Sequence, residues 1–438
     1  MKFILTFILV LLLASCAIGA DVVVSEYVIG NTGTSYTFIG KPRPSFDYTD
    51  DGRVVFMMAY FSSVIDNVWI SSDSGTTWTT EYQSGVTTNY HLHIGIKGDT
   101  LYVCTNDQQG PIRVIRLLVN GSNEVDIIDT VETSIPSESM VIGGIVPLGG
   151  DSLILVARAN DGGSVDMNPS SAISTNAGTP SFSWNWTPLA SYNDQIRFGV
   201  SPGWGNYDAW AVWANNTASA YYAHYFDGSD WSDNGDPYYT IQTGISNGYR
   251  NFSLTIGRDS AFHAAYVDET TPNSHLMLAT LLQDSMTTGG WIIDTIHTAD
   301  GQMGPGDRLN IRVALCFSWF DQCLRVIYDT EGASNREIRC IKYDYDNLQM
   351  ATDTLIVSDS YEYVSSLAGA FPTPSSLGSM TCVAFEAWDG DGDDNPDDDN
   401  RIKRLVTIRD STAIEYTGGE EEESTTSLRG VRLKRVIQ

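Results

Sequence analysis

The chain has 438 residues, of which 54 are Asp or Glu and 25 are Lys or Arg, for a formal net charge of −29. That balance repels a phosphate backbone and excludes nucleic-acid binding, while it suits an exported protein that meets cations or neutral and basic partners. About 420 mature residues suffice for two or three average domains or for one large repeat architecture.

Residues 1–20 read as a targeting segment. Lys2 precedes an apolar run from Phe3 to Leu13, followed by the small residues of "ASCAIGA". This is the pattern of a secretory signal peptide, too short for a membrane span. Two exits are open. Cleavage can follow Gly19 or Ala20, or "LASC", Leu13 to Cys16, can act as a bacterial lipobox and leave Cys16 lipidated. The expected product is secreted or held at the cell surface, touching membrane only through a lipid on Cys16.

From Asp21 onward helical periodicity is almost absent. Short β-branched and aromatic runs alternate with Gly, Asn, Asp and Ser, which predicts an all-β chain. The first run, "DVVVSEYVIG", stands alone. After it, an apolar run, a turn and a second run ending in an aromatic or acidic residue recur. They are "RPSFDYTDDGRVVFMMAYF", "LHIGIKGDTLYVCTND", "MVIGGIVPLGGDSLILVARAND", "IRFGVSPGWGNYDAWAVWAN", "RNFSLTIGRDSAFHAAYVDE", "LNIRVALCFSWFDQCLRVIYD" and "LAGAFPTPSSLGSMTCVAFEAWD". The repeat is roughly fifty residues, within the range of a propeller blade. Each pair is followed by two further runs, such as "DNVWIS" and "WTTEY", giving four strands per unit.

Residues 21–416 therefore read as one β-propeller of four-stranded antiparallel blades, seven by count with six the alternative. The third unit has an irregular middle around "DMNPSSAISTNAG". The last, from about Ser360, supplies only three strands. The orphan N-terminal run is expected to supply the fourth, closing the ring and leaving no long exposed edge. A monomer is expected. Residues 417–438 form a separate tail. "GGEEEESTTS" is an acidic linker with too little apolar content to fold, and "LRGVRLKRVIQ" alternates basic and apolar residues. The tail reads as a frayed terminus, with a docking strand or sorting remnant as the sharper alternative.

Beyond the signal stand Cys104, Cys316, Cys323, Cys340 and Cys382. An odd number leaves a thiol over in a compartment that permits disulfides. Cys316, Cys323 and Cys340 fall on three successive strands of one unit, so a bridge from Cys323 to either of the others is an expectation. Cys104 and Cys382 read as core residues.

In "SSDSGTTW", Ser71 to Trp78, each position has a local task. Ser and Asp side chains accept backbone N–H bonds in tight turns, and Gly75 can take positive φ. Trp78 offers a large apolar surface to wedge between sheets. The segment resembles the Asp-box, or BNR repeat, of sialidase-like β-propellers at all five diagnostic positions: Ser71, Asp73, Gly75, Thr77 and Trp78. "STNAGTP", Ser174 to Pro180, resembles a decayed copy with Asn176 for Asp and Pro180 for Thr. The resemblance implies a turn between the third and fourth strands of a blade, on the face opposite an active site. It speaks for fold and not for catalysis.

For retaining sialidases the resemblance further implies six blades, an arginine triad for the substrate carboxylate, a Tyr–Glu nucleophile pair and an Asp acid/base. A guanidinium fork matches a carboxylate bidentately, and a tyrosine nucleophile is an exception to the two-carboxylate rule. The family's first arginine opens the first inner strand in an "RIP" tripeptide. Here "KPRPSF" sets Arg43 beside Pro44 with the middle residue missing, and a one-residue slip turns a strand side chain to the other face. The only catalytic candidates are Glu362 and Tyr363 of "YEYVSSL", and no acid/base assembles with them. Arg43, Arg197, Arg250 and Arg308 stand at or near the openings of inner strands, around which propellers bind ligands. Together they would make a basic ring suited to an anionic ligand; the plainer reading pairs each with a nearby carboxylate. His91 and His93 read as structural.

"DGDGDDNPDDDN", Asp389 to Asn400, carries the strongest chemical signal. Asp389, Asp391, Asp393, Asn395 and Asp397 alternate like the oxygen ligands of a calcium loop. The segment resembles the start of EF-hand-like and thrombospondin-type loops, with Asp394 in place of the turn glycine and Asn400 in place of the bidentate Glu. Ca²⁺ is the expected cofactor. The expected role is extracellular binding of a glycan or a surface protein. A sialidase-type hydrolase using Arg197, Arg250, Tyr363 and Glu362 is the alternative, and a structural envelope component the third reading.

Overall fold

A computed structural model gives the architecture. The described residues are the strands named below and turn residues 49, 51–53, 72–73, 75–78, 98–99, 112, 120–124, 133, 148, 151–152, 175–182, 231, 261, 282 and 290–291. The chain begins with β1 (Asp21–Thr32). Blade 1 follows with β2 (Ser45–Tyr48), β3 (Val54–Met57), β4 (Asn67–Ser71) and β5 (Thr79–Tyr82). Blade 2 contains β6 (His91–Lys97), β7 (Thr100–Asn106), β8 (Arg113–Val119) and β9 (Val125–Glu132). Blade 3 contains β10 (Val141–Pro147), β11 (Leu153–Asn160), β12 (Met167–Ser174) and β13 (Ser183–Asn185). Blade 4 contains β14 (Arg197–Pro202), β15 (Ala209–Asn215), β16 (Ala220–Phe226) and β17 (Tyr239–Thr243). Blade 5 contains β18 (Phe252–Ile256), β19 (Phe262–Asp268), β20 (Ser274–Leu281) and β21 (Ile292–Ala299). Blade 6 contains β22 (Val313–Ser318), β23 (Cys323–Glu331), β24 (Arg336–Asp344) and β25 (Gln349–Tyr361). The last blade has β26 (Tyr363–Gly369), β27 (Met380–Asp389) and β28 (Asn400–Asp410), and β29 (Thr425–Leu428) and β30 (Val431–Lys434) follow it.

Among the described residues the sheets number seven with four strands each, all antiparallel meanders, plus the hairpin β29–β30. Inner strands β2, β6, β10, β14, β18, β22 and β26 neighbour one another in that order, and β26 returns to β2. The ring is thus closed. Its last sheet has the order β1-β28-β27-β26, so the orphan N-terminal run fills the outer position as expected. The pairing extends from Asp21↔Asp410 to Thr32↔Arg401.

The core lies between blades. Six apolar clusters of described residues each join two consecutive blades, from blades 1 and 2 through to blades 6 and 7. Strand β19 shows why its sequence, "FHAAYVD", is apolar almost throughout: all seven residues are buried. Phe262, Ala264 and Tyr266 pack toward blade 4, and Ala265 and Val267 toward blade 6. Trp210 stacks on Phe262 with ring centroids 4.6 Å apart.

The third unit is more regular than its sequence suggested. Strand β12 pairs β11 from Leu153↔Ser174 to Asn160↔Met167 without a register shift. Pro169 fits because β13 pairs only Ser171 to Ile173. Beyond that reach β12 is an edge, where a missing N–H costs no ladder bond.

The expected disulfide is not made. Cys104, Cys316, Cys323 and Cys340 are buried thiols. Cys316 lies opposite Arg325, and Cys323 lies opposite Ser318. The two cysteines are therefore diagonal neighbours, about 7–8 Å apart at Cα, beyond the 4.4–6.8 Å that a bridge spans. Cys340 pairs Ile327, four residues along β23 from Cys323.

Inner strands approach closely. A Cβ on Gly144 (φ 154°) would stand 2.4 Å from Val200 Cγ1 and 3.0 Å from the His93 ring. Gly144→Ala is expected to destabilise the ring by about 2 kcal/mol through overpacking and backbone strain. Chemical denaturation would detect it as a lowered midpoint with an unchanged slope.

Candidate functional site

Strand direction defines two ends of the ring. Inner strands start at an entry end, and the turns from first to second and from third to fourth strands lie at the opposite, exit end. The turn Ser71 to Trp78 connects β4 to β5, third strand to fourth, and so sits at the exit end as expected. Ser71 Oγ donates to Asp73 Oδ1 (2.8 Å) and accepts from Gly75 N–H (2.6 Å). Asp73 also accepts from the N–H (2.8 Å) and hydroxyl (2.7 Å) of Thr77. Gly75 takes φ 85°, and Trp78 Nε1 donates to its carbonyl at 3.0 Å. Burial works to raise the Asp73 pKa, but the bonds from Thr77 and Ser71 outweigh it and hold the carboxyl below its ordinary value. Every diagnostic side chain is thus occupied in making the turn. Asp73→Ala should cost about 1–3 kcal/mol, which chemical denaturation would read as a lowered midpoint.

The turn at Ser174 to Pro180 is completed from the preceding blade. Ser174 Oγ accepts from Ser181 N–H at 3.0 Å, and Asn176 Oδ1 from Thr179 N–H at 3.0 Å. Tyr102 of blade 2 donates its hydroxyl to the Ala177 carbonyl at 3.0 Å. Arg116 of blade 2 reaches the Gly178 carbonyl while pairing with Asp129, whose hydrogen bond raises the arginine's pKa. One blade earlier, Arg53 bonds Asp51 (2.8 Å) and crosses to Asp99 (2.9 Å) and the Asn120 carbonyl. Arg53 and Arg116 are buried. The exit end is knitted together by such bonds and offers its charges to the fold.

The channel wall shows a second device. An inner strand has an edge with no strand beyond it, and its N–H groups need acceptors. The preceding blade provides three among the described residues. Asp47 accepts from Ile96 N–H, His93 Nδ1 from Ile145 N–H (3.2 Å), and Ser253 Oγ from Leu315 N–H (2.9 Å). With Nδ1 accepting, neutral His93 carries its proton on Nε2. Its role is structural, as expected.

A polar seam that the sequence did not reveal joins blades 5 and 6. Tyr328 donates to Asp353 Oδ2 (3.3 Å) and meets His297 Nδ1 (3.4 Å). Arg339 binds Asp353 (3.0 Å) and Glu337 (2.9 Å), and Tyr343 reaches Asp294. Tyr328 is fully buried; burial first, then the Asp353 charge, push its pKa up strongly. A phenol closed off from solvent cannot meet a substrate, so this cluster is a seam.

The expected ligand residues stand as follows. Arg197 opens inner strand β14, opposite Ala214. Tyr363 opens inner strand β26, opposite Trp388. Asp389 ends β27 opposite Asn400, which begins β28, so the aspartate-rich connection joins second and third strands at the entry end. The backbones of Arg197, Tyr363 and the base of that connection therefore share one end of the ring, opposite the Asp-box. Arg43, Arg250, Arg308, Glu362, Asp391, Asp393, Asn395 and Asp397 lie outside the described residues. Among the described residues no group of three or more His, Cys, Asp or Glu side chains could hold a metal. No described helix is long and apolar enough to cross a membrane.

No family model matches the chain, and no curated protein sequence gives a significant match. Solved structures do resemble it. A polysaccharide lyase of family PL25, an ulvan lyase, aligns at TM-score 0.51 and 8% identity over 85% of this chain and 95% of its own. The BP39L lectin of Burkholderia pseudomallei aligns at TM-score 0.50 and 11% identity over 86% and 98%. NanB sialidase from Streptococcus pneumoniae aligns at TM-score 0.46 and 12% identity over 88% and 71%. At these identities the first two likenesses concern fold: a propeller architecture, shared with a lectin and a lyase.

Proposed function

We propose that the chain is an exported carbohydrate-binding β-propeller that takes an anionic glycan at its entry end. Arg43, Arg197, Arg250 and Arg308 supply charge there, and calcium is held by Asp389, Asp391, Asp393, Asn395 and Asp397. The observation that carries the reading is the strand register, in which Arg197, Tyr363 and the base of the aspartate-rich connection open at one end while the Asp-box turns away at the other. Guanidinium forks match carboxylates or sulfates, and an exported acidic loop with alternating carboxylates suits Ca²⁺. The fold is shared with a lectin and a polysaccharide lyase, so saccharides are the first ligands to test.

Glycan-array binding of the chain from Asp21 to Tyr416 is the test. Acidic glycans should be retained over neutral ones, and Arg197→Ala with Arg250→Ala should weaken retention by about tenfold or more, the scale of one lost charge-assisted pair. Equal binding of neutral glycans, or none at all, refutes the proposal. A chelator should lower both affinity and melting temperature; an unchanged melt removes calcium from it. Hydrolysis of a fluorogenic sialoside, lost on Tyr363→Phe, would replace the binding reading with a catalytic one.

A further inference from the structure

The three bonds described between consecutive inner strands differ in the chemistry of their acceptor. Ile96 N–H meets the Asp47 carboxylate, Leu315 N–H the Ser253 hydroxyl, and Ile145 N–H the ring nitrogen Nδ1 of His93. A hydroxyl accepts at any pH, and a carboxylate takes up a proton only near about pH 4. The imidazole is the acceptor of the three whose ordinary titration, near about 6.5, falls between neutral and mildly acid pH. A backbone N–H can only donate, so a proton on Nδ1 sets donor against donor and the bond is lost.

The ring is closely held. It lies against an irregularity in the β10 pairing, between Ile142 and Gly144, and a Cβ at Gly144 would stand 3.0 Å from its Cε1 and Nε2. A charged ring that turned over would put carbon where Nδ1 had been, and Ile145 N–H would still lose its acceptor. Directly opposite His93 on β7 is Cys104, whose thiol pKa burial pushes up, so it stays protonated. Lys97, four residues along β6, pairs with Asp151 at 3.6 Å. From β10 the ring meets Gly144 and Ile145, and Val200 of β14 stands behind Gly144; none of the three side chains titrates.

We propose that His93 is an acid-released latch between blades 2 and 3: its protonation frees Ile145 N–H and loosens β10 from β6, while the Asp47 bond to the same strand holds. The inner strands form the channel wall, so acid gives one segment of that wall freedom to move and leaves the other described seams bonded. The latch is a property of the wall alone and does not depend on a glycan at the entry end.

Amide hydrogen exchange on the full chain tests it, with Ile96 as the control on β6. Between pH 8 and pH 5 the protection of Ile145, corrected for the intrinsic exchange rate, should fall about tenfold further than that of Ile96. One proton sets the limit, at about tenfold per pH unit below about 6.5. In His93→Asn the side-chain Oδ1 can take the place of Nδ1 and does not titrate, so the two amides should keep a constant ratio. At pH 8 the nitrogen resonances of the His93 ring should show a proton on Nε2 alone. Three results would overturn the proposal: equal falls for Ile145 and Ile96, an undiminished fall in His93→Asn, or a proton on Nδ1 at pH 8. If His93→Asn does not fold, the ratio of the two amides and the ring resonances of the unaltered chain decide the matter.

Discussion

Removing Asp21–Thr32 is expected to open the ring and to be the most damaging change short of disrupting a whole blade. Strand β1 provides the outer partner of β28 along nearly its full length. Without it the last blade keeps three strands and presents β28 as a long free edge, the kind that pairs with other molecules. At about 0.5–1.5 kcal/mol net per lost backbone bond, the loss is on the order of 5 kcal/mol, comparable to the whole stability of many domains. The truncated protein should be recovered mainly as aggregate, and any soluble fraction should melt about 6 °C below the intact chain, the shift that this loss implies for a cooperative unit of ~400 residues. Adding a synthetic peptide of Asp21–Thr32 should restore part of the melting temperature. A soluble truncated protein with an unchanged melt would contradict the closure.

Acid should weaken the protein through His263. This side chain is fully buried on β19 with Nδ1 2.9 Å from Thr280 Oγ1, and burial lowers its pKa from 6.5 to about 3. The folded state holds it neutral, while the unfolded chain takes up a proton as pH falls below 6.5. Stability is therefore complete above 6.5 and declines as pH drops toward 3, by up to about 1.4 kcal/mol per pH unit. At pH 5 the loss is about 2 kcal/mol, and at pH 4 about 3 kcal/mol. The carboxylates with lowered pKa, such as Asp73 and Asp51, titrate below 3.8 and add their share only at more acid pH. Between pH 6.5 and 5, His263→Gln should flatten the dependence of unfolding free energy on pH by close to one proton. Parallel slopes for wild type and His263→Gln would refute this.

The four-strand unit, the orphan first strand and the turn at Ser71 to Trp78 were legible in the sequence because each is written over short distances. Alternating apolar runs, turn residues and a Ser-x-Asp-x-Gly-x-Thr-Trp pattern need no knowledge of distant partners. The bonds between blades were not legible. Arg53 finds Asp99 46 residues away and the Asn120 carbonyl 67 away, and Arg116 finds Gly178 62 away. An arginine in "RVIRLLV" looks like any solvated strand residue until the next blade is beside it. The same limit explains the disulfide expectation, which rested on neighbouring strands but depended on a register that sequence spacing leaves open. At the candidate site, strand openings for Arg197 and Tyr363 were readable from repeat phase alone. What converges there above the strands depends on long connections with no periodic signal.

The order in which the chain emerges gives the closed ring a kinetic consequence. Asp21 pairs with Asp410, so the start of β1 must wait for the synthesis of nearly all of the ring before its partner exists. Loop closure over that separation is slow, and contacts so distant in sequence lengthen folding times. Until β28 arrives, β1 is an unsatisfied strand on a half-built scaffold, open to capture by other chains. Blades 1 to 6 can assemble on their neighbours as they appear, but the lock between first and last strand forms only after β28 has been made. A cell that makes this protein in quantity therefore needs either a slow supply or a holding factor that shields one strand.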